Sequence, residues 1–137
     1  MDEAKRSLVQ AWLIKAQRDL ASAQRLSEGD DPLLDTAAYH CQQAAEKAMK
    51  AFLVFRDVRV RKTHDLEELI TETSLLTPDY VVLTDAAKRI SEYATEFRYP
   101  GIRIEPTQAE YEQAYQDASE FVSITLALIP AEAHPAA

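Results

Sequence analysis

Apolar positions recur along this chain at three- and four-residue steps, a period that predicts helices from end to end. The clearest stretch is 37–55, AAYHCQQAAEKAMKAFLVF. Ala37, Cys41, Ala44, Ala45, Ala48, Phe52 and Phe55 form one small or apolar face of it. Beside that face runs a second row, Tyr39, Gln43, Glu46 and Lys50, at steps of four, three and four. At about 1.5 Å per residue the row spans ~17 Å of helix. A polar row next to the packed row is unusual for a helix so rich in alanine.

The rest of the chain repeats the period between sharp breaks. A first helix is predicted from Lys5 to Glu28, with Val9, Trp12, Leu13, Ala16, Leu20 and Ala23 inward and Gly29 ending it. Asp31 as N-cap and Pro32 at the first helical position open the second helix, so the pair forms an antiparallel hairpin. Residues 56–64 lose the period and form a loop. Asp65–Thr73 makes a short helix with Thr63 or His64 at its N-terminal end. Thr77-Pro78 repeats the cap-then-proline signal and opens a helix to Phe97, which Arg98-Tyr99-Pro100-Gly101 breaks. Thr107 and Glu110 form a capping box for the last helix, and Pro130 stops it. The expected fold is all-α: an up-and-down four-helix bundle with one extra short helix, a single domain over 5–129. The tail 130–137 has nothing to pack against and is expected to be disordered.

Composition narrows the function classes. The chain has 137 residues and a net charge of −8, which disfavours a general nucleic-acid surface. Arg56, Arg59, Arg61 and Lys62, opposed only by Asp57, still make a locally basic stretch; a solvated loop after a helix is the competing account. One cysteine excludes a disulfide framework and a cysteine-based zinc site, and fits a reducing, cytoplasmic setting. No apolar run reaches membrane-spanning length, and the first residues lack a signal-peptide pattern. Two glycines leave no glycine-rich phosphate loop. No cofactor and no metal site are expected, because the histidines are scattered and no paired acidic cluster occurs.

Candidate chemistry rests on a few residues. Glu46 and Lys50, four apart, form either a modest surface pair or part of a helix–helix interface between two copies. His64 follows the basic loop, five positions after Arg59; it either caps the short helix or moves a proton beside a phosphate that the guanidinium holds. Arg98, at a helix end, either clamps an anion or pairs with Glu46. His40 and His134 look like a helix-side residue and a tail residue.

Four segments occur in order: Trp12-x-x-Lys-Ala-x-x-Asp-Leu20, Gln43-Ala-Ala-Glu-Lys-Ala-Met-Lys50, Lys62-Thr-His-Asp-Leu66 and Phe97-Arg-Tyr-Pro-Gly101. Together they resemble the HEPN domain, the higher eukaryote and prokaryote nucleotide-binding family, over about Lys5 to Ile129. The resemblance implies a helical bundle, a homodimer, association with nucleotide or RNA, and a small nucleotidyltransferase partner in a toxin–antitoxin-like arrangement. It carries over Gln43, Glu46, Lys47, Lys50, His64, Arg98 and Tyr99 as a nucleotide- or RNA-binding set. Some branches are metal-independent ribonucleases with an Arg-x4–6-His motif near the start of a late helix. Here no histidine follows Arg98 at that spacing, and Arg59…His64 precedes the short helix instead. Three functions follow as expectations: a nucleotide- or RNA-phosphate binder, a ribonuclease using His64 and Arg98, or a non-catalytic dimerisation or interaction module.

Overall fold

Asp2 starts the first helix by accepting a hydrogen bond from the Lys5 amide at 2.8 Å, and α1 then runs Glu3–Leu26. A computed structural model describes residues 1–95, 100, 101 and 105–136 of the chain. Gly29 takes a φ of +90° in the next turn, a backbone region open to glycine. The second helix, α2, covers Leu34–Phe55. Its start differs from the Asp31-Pro32 expectation: Leu33 occupies the cap position and offers no side-chain bond. The turn is closed by the Leu33 amide bonding to the Leu26 carbonyl at 2.8 Å, while Glu105 Oε1 accepts from the Leu34 amide at 3.2 Å. A carboxylate from a distant segment therefore supplies what a local cap would have supplied.

α2 ends in a Schellman turn. The Val58 amide reaches the Leu53 carbonyl (2.9 Å), the Asp57 amide reaches Val54 (3.0 Å), and Asp57 sits at φ +63°. The short helix α3 spans Leu66–Ser74, and its cap is Asp65, which accepts from the amides of Glu67 and Glu68. Neither Thr63 nor His64 caps α3, which leaves His64 available for other contacts. Thr77 accepts from the Asp79 amide at 3.3 Å, but the chain then makes a 3₁₀ turn over Val81–Leu83. Only after it does α4 begin, Thr84–Ser91, continued by a 3₁₀ turn at Glu92–Ala94. Its expected end at Phe97 lies outside the described residues. The capping box of Thr107 and Glu110 opens α5, Gln108–Leu128.

Among the described residues the protein is all helical, five α-helices and no strand. α2 lies at the centre, and most of its residues are buried. Alanines at 37, 44, 45, 48 and 51 let neighbouring helices approach it closely. At the far side of the core, Tyr80 packs edge-on against Phe52 (5.6 Å between centroids) and stacks on Phe121 (6.4 Å). Thr125 donates to the Phe121 carbonyl at 2.8 Å, so the 2.6 Å contact between the two hydroxyls has Tyr80 as donor. Tyr80→Phe keeps the ring and removes the hydrogen bond, and is expected to cost about 1 kcal/mol. Tyr80→Ala is expected to cost about 3–5 kcal/mol. Urea denaturation of the two variants checks the ratio.

The tail corrects the expectation of disorder. Ala131–Ala133 forms a 3₁₀ turn, and Ala133 is buried with Val9, Leu13, Ala51 and Ile129. His134 Nε2 lies 2.9 Å from the Leu126 carbonyl and 2.8 Å from that of Ile129. The imidazole N–H thus satisfies acceptors that the end of α5 leaves open. Gln10 of α1 fixes the segment by donating to the His134 carbonyl at 2.9 Å.

Candidate functional site

The polar row of α2 turns inward. Glu46 is only 4% exposed and Lys50 6%, and their Oε2–Nζ distance is 2.9 Å. A surface pair is thereby corrected to a buried one, where each charge depends on the other. The other carboxylate oxygen, Oε1, accepts from His64 Nδ1 at 2.8 Å, and Gln43 Nε2 approaches it at 3.4 Å. Gln43 also donates to Gln42 Oε1 at 2.7 Å, and Gln42 donates to the His64 carbonyl at 2.9 Å. Gln42, itself bonded by Gln43, thus holds His64 by its backbone while Glu46 holds its ring.

His64 itself is 73% exposed at the side chain. With Nδ1–H committed to a carboxylate, Nε2 becomes the atom that takes or gives a proton. It accepts a hydrogen bond when the ring is neutral and donates one when the ring is protonated. The arrangement presents an oriented imidazole above a buried carboxylate–ammonium pair. Lys50 also lies 5.8 Å from the centroid of Trp12, within cation–π range, so the cluster is tied to α1.

A second cluster joins α1 to α2. Asp19, nearly buried, accepts from His40 Nδ1 at 2.8 Å and from Lys47 Nζ at 2.7 Å. Lys47 therefore points to Asp19 and away from the Glu46 group. A third polar contact links α4 to α5, where Arg89 grips Asp117 through Nε (3.1 Å) and a terminal nitrogen (3.0 Å). Burial holds the Cys41 thiol well above its ordinary range, pushed up to about 12, with Asp117 and Asp19 adding to the effect. At neutral pH Cys41 is a protonated, inert thiol.

Of the residues that the sequence singles out, Gln43, Glu46, Lys50 and His64 come together, and Lys47 does not join them. Arg98 and Tyr99 lie outside the described residues. Glu46, expected to pair with Arg98 or Lys50, is bound to Lys50 and His64. Sequence reasoning passed over Gln42 and Asp19, and it placed His40 as an ordinary helix-side residue. The signal for Asp19 was present: it falls between Ala16 and Ala23 at three- and four-residue steps, on the buried side. Among the described residues, no group of three His, Cys, Asp or Glu side chains is placed to hold a metal ion. The basic loop is partly neutralised, with Arg61 on Glu68 and Glu72 and Arg56 on the Leu76 carbonyl.

An all-helical bundle defines the class of this protein, and its carboxylate–imidazole–ammonium cluster joins the second helix to the loop before α3. The family model of the HEPN domain matches residues 9–128, and the chain belongs to that family. Among solved structures it is similar to TT1696 from Thermus thermophilus, at 26% identity and a TM-score of 0.74, covering 90% of this chain and 99% of that one. It is also similar to ST0689, an archaeal HEPN homologue, at 25% identity and a TM-score of 0.69, covering 87% and 95%. No curated protein matches the chain. Among the described residues no helix is long and apolar enough to cross a membrane.

Proposed function

We propose that this HEPN chain binds the phosphate of a nucleotide or of RNA, with His64 as the group presented to the ligand. One observation carries the reading: an exposed imidazole fixed at 2.8 Å by a carboxylate that is itself buried and neutralised by Lys50. Such a ring, protonated, is an oriented donor to a phosphate oxygen. Lys50 contributes by balancing Glu46, and Arg98 with Tyr99 supplies the rest of the anion contact. A homodimer, and a small nucleotidyltransferase partner in a toxin–antitoxin-like pair, belong to the same reading. The Glu46–His64 pairing also favours a second one, metal-independent RNA cleavage with His64 as acid–base and Arg98 on the phosphate.

Purified protein should retain a labelled single-stranded RNA or nucleotide, and His64→Ala should weaken binding roughly 10- to 100-fold. Arg98→Ala should act in the same direction. Cleavage in the presence of EDTA that both variants abolish would establish the nuclease. Binding unchanged by either variant would refute the site, leaving an interaction module to be sought with its protein partner.

A further inference from the structure

Beside the Glu46 cluster, Leu8, Trp12, Val54, Val58 and Val60 line an open groove of ≈ 470 Å³. Arg59 stands on its edge, and Asp57, at the same edge, is held by Lys5 at 3.0 Å. A smaller groove of ≈ 230 Å³ adjoins it, lined by Leu8, Ala11, Trp12 and Lys15. Leu8 and Trp12 are common to both, and an exposed cation lines each groove, Arg59 in the larger and Lys15 in the smaller. Leu8 is 51% exposed, so the apolar floor is open to solvent. A large aromatic ring with apolar walls and cations at the rim is what an unpaired base and its backbone require.

The groove is tied to the site already described through the buried Lys50–Glu46 pair beneath it. Lys50 Nζ is 5.8 Å from the Trp12 centroid and 2.9 Å from Glu46, whose other oxygen is 2.8 Å from His64. Three contacts therefore connect the aromatic ring to the exposed imidazole. We infer that Trp12 is the stacking platform for a nucleobase whose phosphate lies at His64, which makes the ligand single-stranded RNA or a free nucleotide. This rests on the phosphate-binding reading of Glu46 and His64. Duplex nucleic acid does not fit, because its bases are already stacked on each other. A second copy of the chain is the rival occupant of the apolar walls. It gives no reason for a cation in each groove or for the link through Lys50.

Trp12 is the single tryptophan of the chain, so its fluorescence reports on the groove alone. The experiment titrates the full-length protein with hexauridylate and with an abasic ribose-phosphate hexamer of equal charge. His64 is followed in parallel by imidazole NMR shifts. Hexauridylate should quench Trp12 and shift His64, whereas the abasic oligomer should shift His64 alone. Trp12→Leu should weaken hexauridylate by roughly tenfold and leave the abasic oligomer unchanged, while Trp12→Phe should retain most of the affinity. A His64 shift without a Trp12 response overturns the base subsite and leaves the phosphate reading standing. Equal quenching by both oligomers overturns it as well. Trp12 emission that follows protein concentration and ignores nucleotide assigns the groove to a second copy. No His64 shift with either oligomer removes both readings.

Discussion

Glu46→Gln is expected to destabilise the fold by about 3–5 kcal/mol, close to the whole margin of a weakly stable domain. The amide matches the carboxylate in size, so packing is not the cause. Lys50 is left with its ammonium buried and no counter-charge, and the new NH2 group adds a donor among donors: Lys50, Gln43 and His64 all point hydrogen at this position. Lys50→Met should cost less, because Glu46 keeps Gln43 and His64 as partners and His64 reaches solvent. Glu46→Leu with Lys50→Met removes both charges and should recover most of the loss. Urea midpoints for the four proteins decide the matter. A Lys50→Met penalty equal to or above that of Glu46→Gln would show that the pair, and not the uncompensated ammonium, sets the cost.

The same set separates stability from function. Glu46→Leu/Lys50→Met is expected to fold, yet His64 loses the acceptor that fixes its tautomer. Ligand affinity should therefore fall towards that of His64→Ala although the bundle is intact. Stability and binding would then move apart in one protein, as expected of a buried ion pair whose value lies in positioning a third group.

How much of the fold and site was legible in the sequence depends on whether the signal was local. The α5 start was, since Thr107 and Glu110 complete their capping box within four residues. So was the α2 stripe, because seven small or apolar residues at helical spacing allow one face only. The α2 start was not, since its amide is satisfied by Glu105 from the other end of the chain. Burial of Glu46 and Lys50 was equally hidden: a Glu and a Lys four apart look alike on a surface and in a core until the neighbours are known. The packed tail misled for a related reason. Its anchor is a histidine whose partners, the Leu126 and Ile129 carbonyls, are backbone atoms that carry no sequence signature.

Raising the pH from 9 to 10.5 should weaken the native state through Cys41. Its thiol is fully enclosed between α1, α2 and α5, and burial first, then Asp117 and Asp19, carries its pKa from an ordinary 9.0 up to about 12. The sign follows from proton counts. Between those values the unfolded chain has lost the thiol proton and the native protein has kept it, so the native state binds more protons and stability falls as pH rises. One such group contributes about 1.4 kcal/mol per pH unit. Tyr80 acts in the same direction at higher pH, because burial also raises its phenol. Cys41→Ala should cost roughly 1 kcal/mol at pH 7 for the lost sulfur. Its stability should then fall less steeply than the wild type's, so that the two curves cross between pH 9 and 10.5. Urea midpoints of both proteins across that window test this, since other alkaline titrations are common to the two and cancel in the difference. Parallel curves would mean that Cys41 ionises within the native fold, and native-state labelling by a thiol reagent at pH 9 would then be fast, where the enclosed thiol predicts labelling only through unfolding.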